Sequence, residues 1–132
     1  MTKSTFLDWL YHVSARFVEK PALALIPSQR ILRWIFERTA QIGAVPPVGT
    51  TTVIDAQGGL TATPPDLEGD VPLLMYIHGG GFTIGSPRTH LAMAAHIAAG
   101  AGMRVYLPRY PLAPDYPFPA AVEMPITTYK QI

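Results

Sequence analysis

The chain has 132 residues, 48% hydrophobic and 14% charged, with a formal net charge of +1. That length suffices for one ordinary domain with a core of its own, and the near-neutral balance offers no bulk charge for nucleic acid or an anionic membrane. The absence of cysteine excludes a disulfide framework, a thiolate nucleophile and a cysteine-based metal site.

Residues 4 to 19 carry Phe6, Leu10, Val13 and Phe17 at helical spacing, and Pro21 ends the pattern. Asp8, His12 and Arg16 interrupt this stretch, so it is not a signal peptide, and no segment is long and apolar enough to span a bilayer. Together with the lack of cysteine this fits a cytoplasmic protein. A second helix is expected from Ser28, as N-cap, to about Ala40. Its buried stripe is Ile31, Leu32, Ile35, Phe36 and Thr39, with Arg30, Arg33, Glu37 and Arg38 facing water. This helical pair packs on a neighbouring core or caps a pocket; its basic face is too modest for a membrane anchor.

Gly43 to Pro47 stops the helix. Thr50 to Asp55 is β-branched and reads as a strand, Gln57-Gly58-Gly59 as a turn, and Leu60 to Thr63 as the returning strand. Pro64 to Pro72 is a polar connection. Leu73 to Ile77 is a continuous apolar run and reads as a buried strand. It leads straight into His78-Gly79-Gly80-Gly81-Phe82. Three glycines after a strand allow positive φ, close approach of a ligand and several N–H groups turned into one space. Acyl transfer needs such a loop, because the carbonyl oxygen becomes an oxyanion that fixed donors must stabilise.

Ser86 reads as the N-cap of an alanine-rich helix over 88 to 99, with Gly100 and Gly102 as terminators. Met103 to Leu107 is the next strand, and strand, helix and strand over 73 to 107 make a parallel β-α-β unit. Five prolines stiffen residues 108 to 119. A helix is expected over 119 to 131, kinked or broken at Pro125.

Two motifs stand together: His78-Gly79-Gly80-Gly81-Phe82 and Tyr110-Pro111-Leu112-Ala113-Pro114-Asp115-Tyr116-Pro117-Phe118-Pro119-Ala120-Ala121. In order and spacing they resemble the hormone-sensitive-lipase family of α/β-hydrolases, whose bacterial members are carboxylesterases. The resemblance covers residues 45 to 131. It implies an α/β fold, the N-terminal portion of an α/β-hydrolase: two N-terminal helices, an antiparallel hairpin, then parallel β-α-β in an incomplete sheet. Residues 1–45 would be a helical, cap-like segment and 46–132 a partial hydrolase domain ending before the nucleophile elbow.

The resemblance assigns Gly80 and Gly81 as oxyanion donors, and Gly79 and His78 to shaping and bracing the loop. Phe82 and Tyr110 either line an acyl pocket or pack in the core. The substrate would be a small carboxylic ester, with no metal or organic cofactor and no nucleic-acid partner. The pattern departs from the family at Pro111, where an Arg is usual, and at Asp115 and Tyr116, which replace Glu and His. Loss of that Arg alters how the loop is braced.

A hydrolase of this kind also needs a Gly-x-Ser-x-Gly elbow followed by an acid and a histidine. No such elbow occurs in the 132 residues, and none of the four histidines lies late in the chain. Ser86 has no elbow around it, His90 and His96 fall on or beside the helix after the loop, and His12 is near neither motif in sequence. The expectation is the N-terminal part of a serine carboxylesterase, inactive alone; the alternative is a ligand-binding or remnant protein on the same scaffold. In the family's sheet the strand equivalent to 73–77 is central, so here its edge would be exposed and prone to self-association.

Overall fold

Alternation sets the centre of the sheet. In the computed structural model, which describes residues 6, 8, 9, 12, 13, 16, 17, 28–40, 42 and 44–132, the strand Arg104–Leu107 buries Val105 and Leu107 completely. Arg104 and Tyr106 alternate with them toward the opposite face. This is β4, preceded by β1 (Thr51–Ile54), β2 (Leu60–Thr63) and β3 (Leu73–Met75), in the spatial order β1-β2-β4-β3. β1 and β2 form the expected antiparallel hairpin, Thr51 opposite Thr63. β2 also pairs antiparallel with β4, Leu60 opposite Leu107, and β3 runs parallel to β4 with Leu73 opposite Arg104.

The helices are α1 (Gln29–Thr39), α2 (Pro87–Ala101) and α3 (Ala120–Tyr129). Helix α2 begins at a capping box: the Ser86 hydroxyl accepts from Thr89 N–H, and the Thr89 hydroxyl accepts from Ser86 N–H. It ends on Gly102, whose left-handed φ of 66° returns its N–H to the last carbonyls. Ala94, Ala95 and Ala98 are fully buried and form one core with Leu60, Ala62, Val105 and Leu107. Methyl side chains let this helix lie close on β2 and β4, which is why an alanine-rich segment serves here.

The chain divides into two compact units, Met1–Leu32 and Arg33–Ile132. The helix expected over 4 to 19 lies largely outside the described residues, although Phe6, Asp8, Trp9, His12 and Val13 are helical.

Three expectations are corrected. β3 stops at Met75 and is not buried: Leu73 is 38% and Ile77 52% exposed. It pairs on one side only, so its apolar run lies at the sheet edge. The stripe expected on α1 is not buried either; Leu32, Ile35 and Phe36 are half-buried, whereas Ile31 and Thr39 are exposed. Arg33 and Glu37, expected to face water, are half-buried and bonded to distant loops. Long-range hydrogen bonds decide that face, and hydropathy does not register them. Finally, of the kink or break expected at Pro125, the break does not occur: α3 continues through it, and Pro125 is buried. A proline in a helix interior costs about 3 kcal/mol. Here it forfeits a bond in the second turn only, and just beyond it the Thr127 and Thr128 hydroxyls donate to the Glu123 and Met124 carbonyls.

Candidate active site: the glycine loop

Beyond Met75 the chain holds to β4 by one more bond, Tyr76 N–H to the Tyr106 carbonyl at 2.8 Å, then leaves the sheet at His78. Gly80 (φ +124°), Gly81 (φ +59°), Phe82 (φ +59°) and Gly85 (φ +93°) all take positive φ. A side chain on Gly80 would strike the Ile84 backbone, and one on Gly85 would lie 2.6 Å from the Gly79 carbonyl oxygen. These two glycines are required by contact as well as by φ. The loop closes on itself: Thr83 and Ile84 N–H both donate to the Gly80 carbonyl at 3.1 Å. Neither the Gly80 N–H nor the Gly81 N–H has an acceptor among the described residues. Two backbone donors are therefore free on the segment where an oxyanion hole would need them.

His78 and Tyr110 stand beneath this loop, each only 3% exposed. The Tyr110 hydroxyl donates to the His78 carbonyl at 2.5 Å, and the two rings stack at 4.2 Å. His78 Nδ1 lies 3.0 Å from the Gly79 carbonyl and 3.1 Å from the Tyr110 oxygen. A carbonyl only accepts, so Nδ1 carries the proton. Burial lowers the His78 pKa from its ordinary 6.5; the bond to Gly79 opposes that shift and nearby His90 adds to it. Burial pushes the Tyr110 phenol up to about 12. The neutral imidazole is thus bonded within its own loop.

Phe82 meets Tyr110 edge-on at 6.3 Å, yet the two border different spaces. Phe82 is half exposed and lines an apolar groove with Leu73, Met75, Ile77, Val122 and Ile126. Tyr110 borders a cleft of mixed lining, with Arg33, Glu37 and Arg109 beside Leu60 and Leu112. Ser86 is committed to its cap and donates to Glu37 at 2.9 Å. His90 Nδ1 pairs with the Thr89 hydroxyl at 2.9 Å, and His96 Nε2 with the Val45 carbonyl at 3.1 Å. No serine bonds a histidine among the described residues.

Two features escaped the sequence reading. Arg33 reaches the glycine loop and the proline loop together: Nε donates to the Thr83 carbonyl at 3.0 Å, one terminal nitrogen to Ala113 at 2.7 Å, and the other to Asp115 at 2.9 Å. Pro111 stands where the resembled motif has Arg, and a guanidinium from α1 bonds this loop at Ala113 and Asp115. No local pattern marks that arginine. The second is Asp55, which accepts from Gln57 and Gly59 N–H across the hairpin turn and from the Tyr106 hydroxyl at 2.7 Å. Burial opposes ionisation of Asp55, but the Tyr106 bond and the turn amides outweigh it and lower its pKa. An aspartate two residues before Gln-Gly-Gly is the turn signal that would have found it.

The parallel β-α-β unit, the glycine loop between strand and helix, and the proline loop after the next strand define an α/β-hydrolase. The profile of the α/β-hydrolase fold matches residues 74–132. A crystal structure of an esterase from the bacterial hormone-sensitive lipase family matches 98% of this chain and 43% of its own, at 33% identity and a TM-score of 0.70. A hormone-sensitive lipase from a metagenome library matches 98% of this chain and 42% of its own, at 26% identity and a TM-score of 0.78. Esterase LipI of Mycobacterium tuberculosis is 31% identical over 116 residues, 88% of this chain and 32% of that protein. Tuliposide A-converting enzyme 1, chloroplastic, of Tulipa gesneriana is 39% identical over 114 residues, 79% of this chain and 29% of that enzyme. The chain belongs to the hormone-sensitive-lipase family and spans roughly a fifth to a third of the length of the curated relatives it matches. Among the described residues no helix is long and apolar enough to cross a membrane.

Proposed function

We propose that this chain supplies the oxyanion hole of a serine carboxylesterase, with the N–H groups of Gly80 and Gly81 as donors to the tetrahedral intermediate. The observation that carries the reading is the pair of unpaired backbone donors on positive-φ glycines, braced from below by His78 and Tyr110. In the reaction a serine attacks an ester carbonyl, a histidine moves its proton, and the charge that develops on the carbonyl oxygen falls to these donors. Nucleophile, acid and base lie outside these 132 residues, and the third donor is the residue after the nucleophile. Residues 1–45 serve as a cap-like segment and 46–132 as part of the hydrolase domain. Phe82 borders the acyl side of the substrate, whereas Tyr110 acts through the loop.

The test joins this chain to the remainder of the bacterial hormone-sensitive-lipase-family esterase that follows the position equivalent to Ile132. The chimera should hydrolyse short-chain p-nitrophenyl esters, and the 132-residue chain alone should not. In the chimera Gly81→Val should lower kcat by about 100-fold or more with little change in KM, since displaced donors act on the transition state. A folded, active chimera in which Gly81→Val alters only KM would make the loop a substrate clamp and overturn the reading.

A further inference from the structure

We infer that Arg33, in helix α1, is the positioning residue of the glycine loop, holding it to the proline loop through a three-point clamp. Among the described residues its guanidinium is the one side chain from outside the two loops that bonds both. Nε takes the Thr83 carbonyl, directly after the Gly80–Phe82 turn, and the two terminal nitrogens take Ala113 and Asp115 across the gap. A fourth bond runs parallel to the clamp, from Ala113 N–H to the Phe82 carbonyl at 2.8 Å. The planar fork explains the choice of residue. Three acceptors in different directions suit a guanidinium, whereas an ammonium is a point charge that cannot span them. The pair with Asp115 lies at the surface, its side chains 24% and 27% exposed, whereas the two carbonyl bonds are part-buried. Phe82 holds a φ of +59° that its side chain disfavours, and bonds on both its carbonyl and its successor's keep it there.

The functional meaning of the clamp rests on the oxyanion reading, but its test needs neither nucleophile nor substrate, so the two can fail separately. Hydrogen exchange by mass spectrometry on the 132-residue chain reads peptides over 79–86 and 110–117. They contain the bonded amides of Thr83, Ile84, Ala113 and Tyr116. Arg33→Ala and Arg33→Lys should each speed exchange there about tenfold or more, with Pro87–Ala101 and Arg104–Leu107 unchanged. Arg38→Ala, on the same helix and over the Trp34 ring, should change nothing in either loop. Asp115→Asn leaves both carbonyl bonds and should have a smaller effect than Arg33→Ala. Unchanged loop exchange in both Arg33 variants would overturn the inference. A uniform rise across strands and loops in both would do the same, as would an Asp115→Asn effect equal to that of Arg33→Ala.

Discussion

The Tyr110 hydroxyl donates to the main-chain carbonyl of His78, while its ring lies on the His78 imidazole. One aromatic side chain from the loop after β4 thus fixes the backbone at the residue where the chain leaves β3. The free Gly80 and Gly81 amides follow two and three residues later, so their direction is inherited from this contact.

Replacing Tyr110 with Phe should leave the stacking intact and strip the bond from a buried carbonyl. The expected loss is about 1–3 kcal/mol of stability, read as a lower urea midpoint with the same slope. Wild-type stability in Tyr110→Phe would mean that water replaces the hydroxyl and that the bond does not hold the loop.

Stability should be flat in mid-range and fall at both ends of the pH scale. The Tyr106 and Tyr110 phenols rise from 10.0 to about 12 in the fold. The unfolded phenols ionise first, so their contribution is complete below pH 10 and lost between 10 and about 12. His78 shifts the other way: its contribution is complete above 6.5 and declines as the pH falls through its lowered pKa. Asp55 adds a further loss below 3.8. His78→Gln, monitored by melting from pH 8 to 5, should flatten the first acid step; an unaltered slope would place that step on another group.

Glycine positions in the loop should rank by what a methyl would meet. At Gly85 it lies 2.6 Å from the Gly79 oxygen and 2.9 Å from His78 Nδ1, and at Gly80 it strikes the Ile84 carbonyl. Alanine at either should cost more than about 2 kcal/mol. At Gly81 the space is open, and only the φ of +59° is penalised, about 1 kcal/mol. Urea melts of the three variants check the order; a Gly81→Ala variant as damaged as Gly80→Ala would refute it.

Self-association should run through β3. Its free edge lies beside the groove lined by Leu73, Met75, Ile77, Phe82, Val122 and Ile126, a flat apolar surface with unpaired strand groups. Sedimentation should show species larger than a monomer at micromolar concentration, and Ile77→Lys should shift them toward monomer. No shift, with the fold intact by circular dichroism, would move the contact elsewhere.

What the sequence determined by itself is local. Strand, glycine run, Ser86 cap and Gly102 terminator are legible because φ preference and capping act within a few residues, and the two loop motifs sufficed to place the family. The tertiary structure alone decided the rest. β4 lies between β2 and β3, and the run expected to be a buried strand over Leu73–Ile77 pairs only over Leu73–Met75 and stays largely exposed. Arg33 and Glu37 turn inward, against their charge, because Thr83, Ala113, Asp115 and Ser86 meet them there. Such contacts join residues about fifty to eighty positions apart, and no periodicity in a single helix records a partner that distant. The arginine that bonds both loops comes from a helix that hydropathy alone would have turned the other way.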